Sequence, residues 1–384
     1  MEKLTQDIYW LGCNDHNIDI FEGIYPVQKI GMAYNSYVVM DEKIAVMDTV
    51  DAKVGEDWLK QMDEALAGRT PDYLVVQHME PDHSQHITTF MDRFPKAVIV
   101  SSNQAFTMMK NFFGVDFADR RQVVTEGDVL DLGKHKLHFV TAPMVHWPEV
   151  LMTYDSTDKV LFSADGFGKF GASDHKDDWV TEARRYYTGI VGKYGPQVQN
   201  VLKKAAALDI QKIAPLHGWP LTENLGKYIG YYDKWSTYEP EEEGVAIYYA
   251  SVYGRTEEAA LFLAEECKKA GVKNVAVYNL MRSDVTYALG DAFRFKNIVL
   301  CSMTYNMDVS PFMSGLVGSF ALHNLQKKRI AIVENGSWAP NAAKVIKAGL
   351  APCKDMEYLD TVTIRSAMSE ENKQELKDLA QKLK

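Results

Sequence analysis

Val75-Val76-Gln77-His78-Met79-Glu80-Pro81-Asp82-His83-Ser84 concentrates four potential metal ligands, His78, Glu80, Asp82 and His83, within six positions. Leu74 to Val76 read as the end of a buried strand. Pro81 is incompatible with a ladder or a helix interior, so the segment is expected to be a loop leaving a strand end, where side chains converge instead of alternating. A His with a carboxylate two residues on, followed by an Asp-His pair, can serve two adjacent metal ions, the first two side chains facing one ion and the second two the other.

The chain around this stretch has 384 residues, which predicts two domains. Its hydrophobic content of 46% and charged content of 24% are those of a globular protein with an ample core. A net charge of -10, with no basic run longer than Lys327-Lys328-Arg329, argues against nucleic acid as a partner. The start, Met1 to Asp7, lacks the apolar core of a signal peptide and no apolar run reaches membrane-spanning length, so a cytoplasmic protein without membrane contact is expected. Cys13, Cys267, Cys301 and Cys353 are dispersed without a CxxC, which points to buried small hydrophobes and away from disulfides or thiolate metal centres.

Short β-rich runs with turn residues occupy Ile8 to Val50, and an amphipathic helix is expected over Gly55 to Ala67. After the ligand loop come a helix around Gln85 to Phe94, a strand at Ala97 to Val100, a helix at Gln104 to Phe113 and further strands through Val140. The mixture predicts an αββα sandwich with the site on its edge loops. Further candidate ligands follow later strands: His146 after Val140 to Val145, Asp165 after Val160 to Ala164, and His217 after Ile213 to Leu216.

His78-x-Glu80-x-Asp82-His83, then His146, Asp165 and His217 in that order, resembles the metallo-β-lactamase-like fold and, within it, the flavodiiron proteins. Hydrolases of that superfamily usually carry His where Glu80 stands; a carboxylate there is a harder ligand and favours iron over zinc. The resemblance implies that His78, Glu80 and His146 bind one iron, Asp82, His83 and His217 the other, and that Asp165 bridges them. Asp15-His16-Asn17 and Phe21-Glu22-Gly23 resemble the family's N-terminal loop near the metals, where many relatives have His in place of Glu22. The helix expected after Asp178 carries Tyr186, Tyr187 and Tyr194; Tyr194 and Glu22 are the candidates for groups just outside the ligand set. His16, His86, His135, His138, His175 and His323 lack convergent spacing and read as structural or surface histidines.

Composition shifts at Tyr238-Glu239-Pro240-Glu241-Glu242-Glu243-Gly244, read as an exposed connector that divides residues 1–243 from 244–384. Beyond it strands and helices alternate, from Val245 to Ala250 through a closing helix at Glu370 to Leu383, which predicts a doubly wound, five-stranded parallel sheet. Ser251-Val252-Tyr253-Gly254-Arg255-Thr256 after the first strand offers hydroxyls, a permissive glycine and a helix N-terminus, a set suited to a phosphate monoester. It is neither a GxGxxG nor a Walker loop. The segment resembles flavodoxin, and the resemblance implies that this loop holds the FMN phosphate. It also implies that Met303-Thr304-Tyr305-Asn306 reaches the isoalloxazine, with Met303 where proline is frequent, and that Asn335-Gly336-Ser337-Trp338-Ala339 packs an aromatic, Trp338, against the ring.

The combination implies an oxidoreductase with FMN and two non-haem iron ions that reduces dioxygen to water, nitric oxide to nitrous oxide, or both. The alternative is a zinc hydrolase of the same fold fused to a flavodoxin module. Family likeness further implies a head-to-tail homodimer or a dimer of dimers. It also implies an external electron donor, rubredoxin or a flavoprotein reductase, since the chain carries no paired CxxC motifs and no NAD fingerprint.

Overall fold

The computed structural model describes residues 1–384, which divide into two compact units: Met1–Tyr187 with Pro196–Asp233, and Thr188–Gly195 with Lys234–Lys384. In the first unit a seven-stranded sheet runs in the order Glu2–Lys3, Ile8–Asp15, Met32–Val39, Ala45–Met47, Tyr73–Val75, Val98–Ser101 and Arg121–Val123. A five-stranded sheet runs Val129–Asp131, Lys136–Thr141, Leu151–Asp155, Val160–Phe162 and Lys212–Ala214. Alternate residues of the two sheets, among them Tyr37, Val39, Ala45 and Met47 from one and Leu137, Phe139, Val160 and Phe162 from the other, share one buried cluster. This period-two burial makes a sandwich. The helix Gly55–Leu66 buries Trp58, Met62, Ala65 and Leu66 along one stripe, as an outer helix of such a sandwich must.

The ligand stretch departs from the loop expected for it. Pro81–Ser84 forms one helical turn with the proline at its start, a position where the missing N–H is no loss and the fixed φ suits the helix. That turn, and not an irregular loop, puts Asp82 and His83 on adjacent directions.

In the second unit five parallel strands lie in the order Val275–Asn279, Glu242–Ala250, Phe295–Tyr305, Arg329–Asn335 and Glu357–Ile364, with Asp308–Val309 pairing antiparallel to Phe295–Tyr305. Ala246, Tyr248, Ile298, Leu300, Ile330 and Ile332 face one core and Val245, Ile247, Val299, Cys301, Ala331 and Val333 the other, so both faces are covered. The strand order reverses at Glu242–Ala250, and the crevice beyond its carboxyl end is where such sheets bind ligands.

The acidic run is not a free connector. Tyr238 is buried, its hydroxyl donating to Gly192 O at 3.1 Å and accepting from Asn324 Nδ2 at 2.9 Å. Glu239 pairs with Lys327 at 2.6 Å, Glu241 accepts from Trp235 Nε1 at 2.6 Å, and Glu242 opens the first strand. These partners belong to the second unit, so the boundary between the units falls at Asp233, ahead of the run. All four cysteines are free; burial pushes the Cys13 and Cys267 thiols up to about 12, which leaves them inert. No helix is long and apolar enough to cross a membrane.

Candidate metal centre and flavin pocket

Seven side chains from four chain segments gather into two adjoining groups in the first unit, His78, Glu80, His146 and Asp165 in one and Asp82, His83 and His217 in the other. In the first, Glu80 Oε2 lies 3.2 Å from His78 Nε2 and 3.0 Å from His146 Nε2, and Asp165 Oδ2 lies 3.4 and 3.0 Å from the same two nitrogens. In the second, His83 Nε2 and His217 Nε2 are 3.0 Å apart and lie 3.4 and 3.3 Å from Asp82 Oδ2. Asp165 Oδ1 is 3.2 Å from His83 Nε2, so its two oxygens face different groups, the disposition of a bridging carboxylate.

These residues fit a pair of cations. Ligand atoms about 2.1 Å from one dication and at right angles to each other stand about 3.0 Å apart, close to the spacings found here. Asp82 Oδ1 and Oδ2 and Asp165 Oδ1 are buried without a hydrogen-bond donor, which is costly unless a cation completes them. Every histidine turns Nε2 inward. His78 Nδ1 hydrogen-bonds Glu149 Oε1 at 2.8 Å and His217 Nδ1 the carbonyl of Ala33 at 2.8 Å, which fixes their tautomers and leaves Nε2 with a free lone pair.

Glu149 and Asp48 are the supports that the sequence did not reveal. Glu149 also accepts from Met79 N at 2.9 Å, and the buried Asp48 accepts from Gln77 N at 2.7 Å and Gln77 Nε2 at 2.8 Å, pinning the ligand stretch from both sides. Burial pushes the Asp48 carboxyl up to about 6 against the opposing pull of the Gln77 hydrogen bonds. An Asp at the end of the apolar run Lys43 to Asp48 was the available hint. Replacing Glu149 with Gln is expected to leave the fold intact but weaken metal binding by roughly 10–100-fold, measured by chelator competition.

Around the cluster, burial opposes the charged form of Glu80, but hydrogen bonds from His146 and His78 win and hold its carboxyl down at about 2. Glu22 sits at the turn of a small hairpin, Ile20–Phe21 with Tyr25–Pro26, anchored by Phe21 against His217 at 5.6 Å and Tyr25 against Phe170 at 4.8 Å. Its side of the hairpin is exposed to solvent, yet the surrounding site and, after it, the negative charge of Glu80 push its carboxyl up to about 7. Bound cations would pull it back down. The helix Val180–Tyr186 passes into a π-helical turn, Tyr187–Val191, and a 3-10 turn, Gly192–Tyr194, so regular spacing from Tyr187 breaks down and Tyr194 ends in the second unit. Tyr186 packs beside His217 instead, ring centroids 5.4 Å apart. His86 packs on Trp58, and His135 is held by Asp155 at 3.0 Å and Asp7 at 3.5 Å, both structural roles.

In the second unit a cavity of about 620 Å³ opens at the strand-order reversal. Its walls are Ser251, Val252, Tyr253, Arg255 and Thr256; Met303, Thr304, Tyr305 and Asn306; and Asn335, Gly336, Ser337, Trp338 and Ala339, joined by Met307 and Ser366. Gly254 takes φ 84° just before the helix Arg255–Ala270, a conformation open to glycine, and is not itself a wall residue. Ser251 Oγ is buried without a partner beside that helix N-terminus, and Tyr253 and Trp338 are 93% and 89% exposed, two aromatic faces that a flat ring would cover. The walls are braced: Asn335 Nδ2 donates to Ser366 O at 3.0 Å, Ser337 and Ser366 share a hydroxyl hydrogen bond, and Asn341 Nδ2 donates to Met307 O at 2.6 Å. The donor set and the exposed aromatics fit a flavin mononucleotide. Ser366 leaves no local sequence signal, because its partners Asn335 and Ser337 stand about thirty positions away in the chain.

Residues 32–218 match the model of the ODP family beta lactamase. The anaerobic nitric oxide reductase flavorubredoxin of Aeromonas hydrophila is 29% identical over 359 residues, covering 90% of this chain and 72% of the relative. The rubredoxin oxygen:oxidoreductase of Desulfovibrio gigas superimposes with a TM-score of 0.91 at 25% identity, over 100% of this chain and 97% of that one. The flavodiiron protein of Giardia intestinalis matches with the same score, identity and coverage. Fold and site define a metallo-β-lactamase-like unit followed by a flavodoxin-like one. Over its whole length the chain is similar to flavodiiron proteins.

Proposed function

We propose that the protein reduces dioxygen to water, nitric oxide to nitrous oxide, or both, with the first unit holding an iron pair and the second holding FMN. The observation that carries this reading is the pair of adjoining ligand groups sharing Asp165, four of whose seven members are imidazoles and three carboxylates. When bound, the irons supply paired coordination positions and the flavin supplies electrons singly or in pairs. His78, Glu80 and His146 would hold one iron and Asp82, His83 and His217 the other, with Asp165 between them. The protein's own contribution is to keep these groups dry and fixed: His78, His83, Asp165 and His217 are each at most 1% exposed. Three carboxylate ligands, Glu80 among them, favour iron, and this weighs against a zinc hydrolase.

Reduction of dioxygen consumes four electrons and four protons, and coupling of two nitric oxide molecules two of each, so an external donor must serve the flavin. Rubredoxin or a flavoprotein reductase is the donor proposed, and a head-to-tail homodimer or dimer of dimers the assembly; the names of the A. hydrophila and D. gigas relatives carry a rubredoxin connection. Steady-state consumption of both gases by one preparation with an artificial donor tests the activity. Turnover of at least one gas is expected; indifference to both would overturn the proposal.

Trp338→Ala is expected to weaken FMN binding by about tenfold, from the lost aromatic contact, without changing the iron content. Flavin fluorescence titration of the apoprotein measures it; unchanged affinity would remove Trp338 from the flavin site.

A further inference from the structure

Glu334 is a buried carboxylate that no cation answers, one residue before the wall segment Asn335 to Ala339 of the flavin pocket begins. It is 8% exposed and lies in register between Ser302 and Thr363, at the carboxyl end of the parallel sheet. Its Oε2 accepts from Ala343 N at 2.9 Å and its Oε1 from Thr363 Oγ1 at 2.8 Å, neutral donors that orient the carboxylate without cancelling its charge. The one cation of the pocket wall, Arg255, is engaged by Glu258 at 2.9 Å. Ala343 stands in the first turn of the helix Ala342–Gly349, and Asn341 before it supplies no side-chain cap, so Glu334 caps this helix from the sheet. Between the two the chain doubles back on itself: a Cβ on Gly336 would stand 2.7 Å from Pro340 Cα, and Asn341 N donates to Thr304 Oγ1 at 2.8 Å, which closes the loop against a second wall segment. A neutral acceptor would serve both of Glu334's hydrogen bonds, as Ser, Thr and Asn do at most helix starts. What the carboxylate adds is an uncompensated negative charge, held in a dry place beside the flavin pocket, where charge acts most strongly.

We propose that Glu334 tunes the flavin: its fixed negative charge opposes reduction of bound FMN and so favours passing the electrons on. The inference rests on the FMN reading above. Full reduction takes two electrons from the external donor and one proton from solvent, so the bound flavin gains one negative charge. A carboxylate fixed nearby makes that product bind less tightly than the oxidised form. Glu334 is a positioning residue, acting through space and through the loop it anchors.

The test uses the full-length protein. Fluorescence titration gives the affinity for oxidised FMN, and dye-equilibrated reduction followed at the flavin absorbance gives the potential of the bound flavin; together they yield the ratio of reduced to oxidised dissociation constants. Glu334→Gln is expected to lower this ratio about tenfold, the effect of one buried unit charge, which is a rise of about 30 mV for a two-electron couple. Glu334→Asp keeps the charge on a shorter side chain and is expected to leave the ratio near the wild-type value, even where FMN binds more weakly. A ratio unmoved by Glu334→Gln, or moved equally by Glu334→Asp, would reduce Glu334 to a helix cap and overturn the inference while the FMN reading stands. A wild-type protein that takes up no FMN would sink both. Should Glu334→Gln not fold, Thr363→Lys carries the test by setting an ammonium against Oε1: the same fall in the ratio is expected, and an unchanged ratio overturns the proposal.

Discussion

Glu80→His is expected to invert the metal preference of the protein, from iron to zinc, and to abolish gas reduction while leaving FMN bound. Glu80 Oε2 stands 3.2 and 3.0 Å from the Nε2 atoms of His78 and His146, so the substitution turns a two-imidazole, two-carboxylate group into one with three imidazoles and the shared Asp165. It removes one negative charge and one hard oxygen donor, which matter most to an iron ion that must reach its higher oxidation state. The flavin pocket is built from other residues, so flavin content serves as the internal control for folding. Elemental analysis of protein grown with both metals measures the preference, and gas consumption should fall by at least about 100-fold. Iron retained at the wild-type level with full turnover would show that this carboxylate does not set the metal.

Asp165→Asn should have a wider effect, because both oxygens of this side chain are committed. Oδ2 faces His78 and His146, and Oδ1 faces His83. The amide keeps one acceptor and points a donor at the other group, where a cation is repelled. Breaking a buried charge network of this kind costs about 3–5 kcal/mol, or roughly two to four decades in metal affinity. The expected product binds at most one iron tightly and loses the magnetic coupling between the ions. Two irons held with wild-type affinity would contradict the bridging role.

The ligand residues were legible because each of the later ones closes a short apolar strand, and the first four sit within one turn of chain after another. The alternating second unit was legible for a similar reason: its strands are buried on both faces and read as continuous apolar runs. What supports the site was not. Glu149 reaches His78 across 71 positions and Asp48 reaches Gln77 across 29, so neither contact leaves a local pattern. The single helix expected to carry Tyr186, Tyr187 and Tyr194 is interrupted by a π-helical turn after Tyr186, a change of hydrogen-bonding register that leaves no local sequence pattern. The acidic run at Tyr238 to Gly244 resembled a connector only while its partners, Lys327 and Trp235 among them, were out of view.

The central claim is that the two adjoining groups hold a coupled pair of irons. A Mössbauer spectrum of the isotopically enriched, as-isolated protein, taken alongside its metal content, tests this most directly. The account predicts about two irons per chain in a single antiferromagnetically coupled population. Zinc in their place, or isolated uncoupled iron at one ion per chain, would contradict it.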